Sequence, residues 1–259
     1  MRKQSKLLIT LLMLVGFVGV SNAQLIDEKD VTITLDLQPV LQLDMTTSNQ
    51  LEFIFDDINE YLAGITHYAA TILKVSSTVS WDLYALGRSQ AGTRFMDQQV
   101  SYGNVTPLNS IAEIPMSALE LRQNQANFSS AGTSLTPPNY DYSSAFASAN
   151  SGPSATNSLF VNDAGVATPP DASGKYIAGH AGNLDYIDGG SYLTAGVGAT
   201  YYHYTIDYRI LPGLPAIFPN ATAADGSTFE DIATNNSATS YAQPGVYTMY
   251  VQYVLLEDQ

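Results

Sequence analysis

The chain has 259 residues, of which 24 are acidic and ten are basic, so its formal net charge is −14 at pH 7. A surface this acidic repels nucleic-acid phosphates and anionic lipid headgroups, which excludes both as expected partners. The sequence has no cysteine, so the fold must rely on burial alone, and a domain of this length buries roughly 70% of its unfolded surface.

The N-terminus has the three parts of a secretory signal peptide. Residues 1–6 are basic, residues 7–20 are apolar, and Ser21-Asn22-Ala23 offers small residues for cleavage. The apolar run is too short to cross a bilayer core of about 30 Å. We therefore expect a signal peptide over residues 1–23, export of residues 24–259 and no transmembrane segment in the mature chain. With seven basic and 24 acidic residues, that chain has a formal charge of −17.

Apolar residues alternate with polar ones at the start of the mature chain. The apolar positions are Val31, Ile33, Leu35 and Leu37. This period of two predicts an ordinary first strand. The pattern resumes over residues 41–45, and Pro39 predicts two strands or one bent strand, because proline removes a ladder donor. A short strand is expected at residues 51–55. The acidic residues 56–60 before Gly64 predict a loop or one helical turn.

The only tryptophan lies in the most regular alternating stretch of the chain. The residues expected in the core are Leu73, Val75, Val79, Trp81 and Leu83. Ser80, Asp82 and Tyr84 fall on the other face, which predicts a strand with one dry and one wet side. Residues 76–78 predict a turn. We therefore interpret residues 73–85 as a hairpin around a buried indole.

The middle of the chain changes composition. Residues 111–122 fit a helix or an edge strand, and the neighbouring strands favour the strand. Residues 123–174 are rich in serine, alanine and proline. They predict a long loop excursion that is either tied down by its few aromatic side chains or mobile.

Two further strands are predicted near the C-terminus. In residues 197–210, Tyr204, Ile206 and Tyr208 share one face. Residues 246–256 are apolar on both faces, which predicts a central strand or a strand at an interface. Strands and turns without a long amphipathic helix predict an all-β fold. We expect one antiparallel β-sandwich domain over residues 24–259, Ig-like or pilin-like, with long surface loops.

No constellation in the sequence indicates a reaction. His67, His180 and His203 lie far apart and outside any HExxH pattern, and no GxSxG motif is present. Paired carboxylates could hydrolyse glycosides, but any acidic surface supplies such pairs. The candidates are Asp56, Asp57, Glu60, Asp82, Asp185 and Asp188. We expect a protein that is not an enzyme and has no catalytic residues.

Calcium is the one cofactor that the sequence leaves open. Three acidic clusters offer hard oxygen ligands, but none has the spacing of an EF-hand loop. The most loop-like cluster contains Asp225, Glu230 and Asp231. A solvated acidic turn is the simpler interpretation, so we expect no cofactor unless this cluster binds calcium.

Tyrosines crowd the C-terminal third. They are Tyr192, Tyr201, Tyr202, Tyr204, Tyr208, Tyr241, Tyr247, Tyr250 and Tyr253. Aromatic faces fill sandwich cores and protein interfaces, and they also stack on sugars. Core and subunit contacts are favoured here, and a carbohydrate-binding module that uses exposed tyrosines is the alternative function, with a glycan as its partner.

Two motifs resemble exported bacterial β-sandwich surface proteins of the pilin-like and WxL-like kinds. They are Leu73-x-Val75-Ser-Ser-x-x-x-Trp81-x-Leu83 and the ending Pro244-Gly245-x-Tyr247-Thr248-x-Tyr250-Val251-x-Tyr253. WxL domains carry two Trp-x-Leu motifs and attach to the cell wall, and this chain has one, at residues 81–83. Pilin-like subunits often exchange a terminal strand, and residues 31–37 stand where such a donor strand would.

The resemblance implies a secreted or cell-surface structural or adhesive protein, such as a subunit of a fibre or surface assembly. It implies partners that are copies of the same chain or a cell-surface protein. Strand pairing and aromatic contacts would supply the binding.

Overall fold

The computed structural model describes most of the strand-rich parts of the chain. The described residues are 29–79, 81–102, 110–123, 142, 144–148, 153–154, 156–162, 168–170, 175–178, 190–191, 203–211, 221–222, 229–230 and 241–257. The chain divides into two units between Gln38 and Pro39. The predicted signal peptide, residues 1–23, lies outside the described residues.

The described part of the second unit consists mainly of strands. They are β1 (Leu41–Met45), β2 (Ile65–Ser77), β3 (Trp81–Arg88), β4 (Asp97–Ser101), β5 (Ser110–Ile111), β6 (Leu119–Gln123), β7 (Tyr176–Ala178), β8 (Gly190–Ser191), β9 (His203–Ile210), β10 (Ala221–Thr222), β11 (Phe229–Glu230), β12 (Tyr241–Ala242), β13 (Gly245–Thr248) and β14 (Tyr250–Glu257). A short helix, α1, spans Ile58–Ala63, and a 3₁₀ turn spans Met116–Ala118.

Two larger sheets, each built from antiparallel pairs, form the framework. The first has the order β1-β2-β9-β6, with β8 paired to the end of β2. The second has the order β14-β3-β7. Smaller pairs join β4 to β13, β10 to β11 and, in parallel, β5 to β12. The prediction of an all-β, antiparallel, sandwich-like fold is confirmed.

The main core lies between the two larger sheets. Trp81 of β3 is 1% exposed, and its ring meets that of Tyr204 of β9 edge-on, with 6.1 Å between centroids. Leu73 and Val75 of β2 and Leu83 of β3 are buried in the same cluster. The indole therefore packs at the centre of the sandwich.

The predicted hairpin around Trp81 is wrong. β2 ends at Ser77 and β3 begins at Trp81, but the two strands belong to different sheets, so they do not form a hairpin. The Val79 N–H donates to the Ser77 hydroxyl at 3.0 Å, and that hydroxyl donates to the Val79 carbonyl at 2.6 Å. Val79 is half-buried and lies outside both strands, and Ser80 lies outside the described residues.

The predicted wet face of β3 is also wrong. Asp82 is 4% exposed and Tyr84 is 1% exposed. Tyr84 packs in a second apolar cluster with Leu86, Phe160 and Tyr176. Because Phe160 belongs to the 123–174 excursion, described parts of that excursion cover the second face of β3.

The remaining elements agree in part with the sequence. Residues 51–55 form no strand, contrary to the prediction. The acidic stretch does form a helical turn, α1, and Gly64 caps it. The ambiguous stretch 111–122 contains a 3₁₀ turn followed by the strand β6.

Candidate functional site

The described part of the first unit, residues 29–38, is a chain segment that belongs to no strand. Its four alternating apolar side chains face solvent: Val31 is 83% exposed, Ile33 88%, Leu35 78% and Leu37 80%. The predicted ordinary first strand is therefore wrong for these residues, and the first strand among the described residues begins at Leu41. An exposed apolar row of this kind is typical of a surface that binds another molecule.

The C-terminal strand β14 has an open edge. It pairs with β3 along its whole length, from Tyr250 opposite Arg88 to Glu257 opposite Trp81. Among the residues that the structure describes, no strand pairs with the other edge of β14. Of the two positions predicted for this strand, central or at an interface, the described sheets therefore exclude the central one.

Both rows of side chains on β14 are only half-buried. Val251, Tyr253 and Leu255 pack against the main core, and Val254 and Leu256 pack against the second cluster. By contrast, all residues of the neighbouring β3 except its last are buried. Side chains on both faces of β14 thus pack against apolar clusters, yet none of the eight residues of the strand is fully buried.

Among the described residues, the first sheet also has a strand with an unpaired edge near β14, namely β1. β1 pairs with β2 and, within the described ranges, with no other strand. β1 lies against β14, and its Leu43 is half-buried against the main core. Leu41 and Met45 of β1 are 37% and 44% exposed. β1 and β14 therefore bound one open side of the sandwich.

Two acidic residues that were candidates for chemistry serve to cap α1. The Asp57 carboxylate accepts from the Asn59 N–H at 2.7 Å, and the Glu60 carboxylate accepts from the N–H of Asp57 at 3.1 Å. This reciprocal pattern is a capping box, which satisfies N–H groups at the helix start. The local sequence accounts for these carboxylates without a ligand.

The other candidate metal ligands form no cluster among the described residues. Asp185, Asp188, Asp225, Asp231 and His180 lie outside the described residues, and Glu230 lies in β11. His67 Nε2 is 3.0 Å from the carbonyl oxygen of Glu52, and His203 lies in β9. Across the described positions, no group of three or more His, Asp or Glu side chains could hold a metal ion.

A buried ion pair that sequence reasoning missed fastens the excursion to the first sheet. The Arg209 Nε donates to the Glu120 carboxylate at 2.6 Å, and both side chains are almost fully buried. Glu120 also accepts from the Ser154 N–H at 2.8 Å, and Arg209 donates to the Ala147 carbonyl at 2.7 Å. The Arg209 guanidinium lies 4.6 Å from the centroid of the Phe146 ring. The only sequence signal for this pair is that two strands with apolar faces, β6 and β9, each contain charged residues.

A second buried carboxylate stabilises a bulge in β2. The Ala69 N–H donates to Asp207 at 2.7 Å, and Ala69 has a φ of 51°, in the left-handed region that favours glycine. The bulge lies between His67 and Thr71. Asp207 also faces Arg122, 3.9 Å away. The two buried charged residues of β9, Asp207 and Arg209, therefore have structural roles.

Two tyrosines meet between the sheets. The hydroxyl of Tyr208 contacts that of Tyr253 and lies 2.8 Å from the Thr71 hydroxyl. Burial raises the pKa of Tyr253 well above its ordinary value, and the neighbouring Tyr208 raises that pKa further. Burial also raises the pKa of Tyr208, against the opposing effect of its hydrogen bonds. Both phenols are therefore held neutral.

The C-terminal tyrosines mostly belong to the core. Tyr204 and Tyr208 are buried, and Tyr247 and Tyr253 pack partly buried against the main cluster. Tyr250 is 58% exposed. Tyr192, Tyr201 and Tyr202 lie outside the described residues. Tyr68 and Tyr102, outside this third of the chain, are also exposed, at 71% and 59%. Nothing shows whether these rings bind a sugar, and the carbohydrate-binding alternative stays a prediction.

Neither a membrane-spanning helix among the described residues nor a similar protein indicates what this chain does. No helix in the described parts of the chain is long and apolar enough to cross a membrane. No known protein-family model matches the chain, and no curated protein sequence matches it.

Proposed function

We propose that this chain is an exported, non-enzymatic structural subunit that joins copies of itself into a surface assembly. In this proposal the joining element is the segment 29–38, which adds as a strand to a sheet of a neighbouring copy. The observation that carries the proposal is the solvent exposure of all four apolar side chains of that segment.

Burial of the four apolar side chains on a partner supplies a gain of the same order as the cost of association. Fully burying an aliphatic side chain contributes about 1.5–3 kcal/mol, so four of them contribute about 6–12 kcal/mol in gross terms. Association costs about 4–15 kcal/mol in lost translational and rotational freedom. Ladder hydrogen bonds of about 0.5–1.5 kcal/mol each add to the gain. Losing two of the four apolar contacts therefore removes about half of the apolar term, or about 3–6 kcal/mol.

The test is sedimentation velocity of the purified chain over a wide concentration range. We expect concentration-dependent oligomers for the unaltered chain and monomers for the double variant Ile33→Asp/Leu35→Asp. A chain that stays monomeric at every concentration would overturn the proposal.

The matched control places the same charges on the other face of the segment. Thr32 and Thr34 alternate with the apolar positions, so Thr32→Asp/Thr34→Asp adds equal charge but leaves the apolar row intact. This variant should still associate. If both double variants became monomeric alike, the net charge rather than the apolar face would control association.

A further inference from the structure

We infer that the partner of segment 29–38 is the open edge of β14 in a second copy of the chain. This inference rests on the proposed function and names the surface that receives the segment. Among the described residues, β14 has a strand partner on one edge only and residues 31–37 belong to no strand, so pairing would give each a neighbouring strand.

The sequence of β14 lacks the features that protect an edge strand. Natural edges carry charged residues, prolines or bulges that prevent pairing with another chain. Residues 250–256 read Tyr-Val-Gln-Tyr-Val-Leu-Leu, with no charged residue, proline or glycine. The register of β14 with β3 is continuous from Tyr250 to Glu257. Among the described residues, this edge is therefore unpaired, continuous in register and uncharged over the seven residues 250–256, and the charged Glu257 ends it.

The segment matches this edge in length and pattern. Residues 31–37 read Val-Thr-Ile-Thr-Leu-Asp-Leu, which is seven residues of strict alternation with a single charge at Asp36. Side chains of neighbouring strands that share a face lie together. The apolar row would extend the row of Val251, Tyr253 and Leu255 toward the main core, and the threonines would lie on the other face.

The partial burial of the β14 side chains is what we expect of a strand that has a partner on only one of its two edges. Its side chains contact apolar clusters on both faces of the sheet, yet they remain half-exposed. A strand added alongside would cover that exposure on both faces at once.

β1 offers a poorer edge. It has five residues against eight in β14, and its burial pattern shows three exposed positions. It also carries Asp44, and a charged residue on a short strand is a feature of protected edges. β14 is therefore the edge that seven alternating residues fit.

Cysteine cross-linking tests the pairing directly, because the chain has no native cysteine. Ile33→Cys in one preparation is mixed with Val251→Cys or Leu255→Cys in another, and the mixture is oxidised mildly. Facing residues on paired strands have Cβ atoms about 4.5–5.5 Å apart, close to the reach of a disulfide. Leu41→Cys and Met45→Cys on β1 are the matched acceptor controls, and the fluorescence of Trp81 checks that each variant is folded.

We expect disulfide-linked heterodimers between Ile33→Cys and at least one β14 position. They should exceed those formed with β1 by about 100-fold, since pairing gives the thiols a high effective concentration. Adding Leu35→Asp to the Ile33→Cys preparation should abolish them.

The experiment distinguishes a wrong assignment of the β14 edge from a wrong proposed function. Segment-dependent association with cross-links only to β1, or to neither edge, would overturn the β14 assignment and leave the proposed function standing. A monomeric chain without cross-links would overturn both.

Discussion

The hydroxyl of Tyr208 is hydrogen-bonded to the hydroxyl of Tyr253, and this contact joins the two sheets through the core. Tyr208 lies in β9 of the first sheet and Tyr253 in β14 of the second. The Thr71 hydroxyl, 2.8 Å from that of Tyr208, extends the contact to β2. The strand that we propose as an acceptor edge is thus fixed to the opposite sheet by a buried polar link.

Removing the Tyr253 hydroxyl should destabilise the fold. Tyr253→Phe removes one of the two hydrogen-bond partners of the buried Tyr208 hydroxyl, which keeps Thr71. The loss of one hydrogen bond costs about 0.5–1.5 kcal/mol. Denaturant unfolding followed by the fluorescence of Trp81, the only tryptophan, measures the loss. The control is Tyr250→Phe on the exposed side of the same strand, which should change the free energy of unfolding by less than about 0.5 kcal/mol. Equal effects of the two variants would contradict the buried link.

The same pair predicts the response of stability to alkaline pH. Burial raises the pKa of both phenols in the folded state, whereas an unfolded tyrosine titrates near 10. Above that pH the unfolded chain releases protons that the folded chain retains, so the free energy of unfolding falls as the pH rises. The stability is fully present below about pH 10. Tyr253→Phe should make the fall shallower and Tyr250→Phe should not. An unchanged slope in Tyr253→Phe would count against the account.

The buried ion pair between Glu120 and Arg209 makes a third prediction. Glu120→Gln keeps the shape of the side chain but leaves the Arg209 guanidinium uncompensated, at a cost of about 3–5 kcal/mol. The double variant Glu120→Leu/Arg209→Met should be less destabilised than the sum of its single variants, because it removes both charges together. Simple additivity in thermal or denaturant unfolding would show that the two charges do not interact.

Two glycines with nearly the same φ differ in how crowded their surroundings are. Gly64 has a φ of +74°, and a Cβ there would lie 2.5 Å from the Ile210 carbonyl oxygen. Gly92 has a φ of +71° with nothing within 4 Å of such a Cβ. Gly92→Ala should cost about 1 kcal/mol for the left-handed backbone. Gly64→Ala should cost about 1–3 kcal/mol more, because the crowded backbone must move. Equal unfolding free energies would contradict the close approach of α1 to the end of β9.

Local pattern was enough to predict the class of fold but not the pairing of the strands. The alternation around Trp81 correctly indicated a strand with a buried indole. It could not indicate that β3 leaves the sheet of β2, because pairing depends on contacts with β14 and β7, far away in the sequence. The second face of β3 carries Asp82 and Tyr84 and looked solvated. Phe160 of the excursion buries it, and no local pattern records that contact.

The sequence likewise predicted some features of the candidate site and not others. The alternation of residues 31–37 could be read from the sequence, and the apolar character of both faces of β14 indicated either a central strand or an interface. Whether Ile33 is exposed and whether an edge of β14 is unpaired depend on the positions of residues that are distant in the sequence. Those positions are known only from the folded chain. The buried Glu120–Arg209 pair was missed because its partners are far apart in sequence and each looks like a surface charge.

The central claim is that residues 31–37 become a strand when copies of the chain meet. Amide hydrogen exchange of the purified chain, measured by mass spectrometry across a concentration series, tests it most directly. We expect the amides of residues 31–37 to exchange freely when the chain is dilute. They should become protected as concentration rises, together with amides of residues 250–257, whereas Ile33→Asp/Leu35→Asp stays unprotected throughout. Free exchange of residues 31–37 at every concentration would contradict the account.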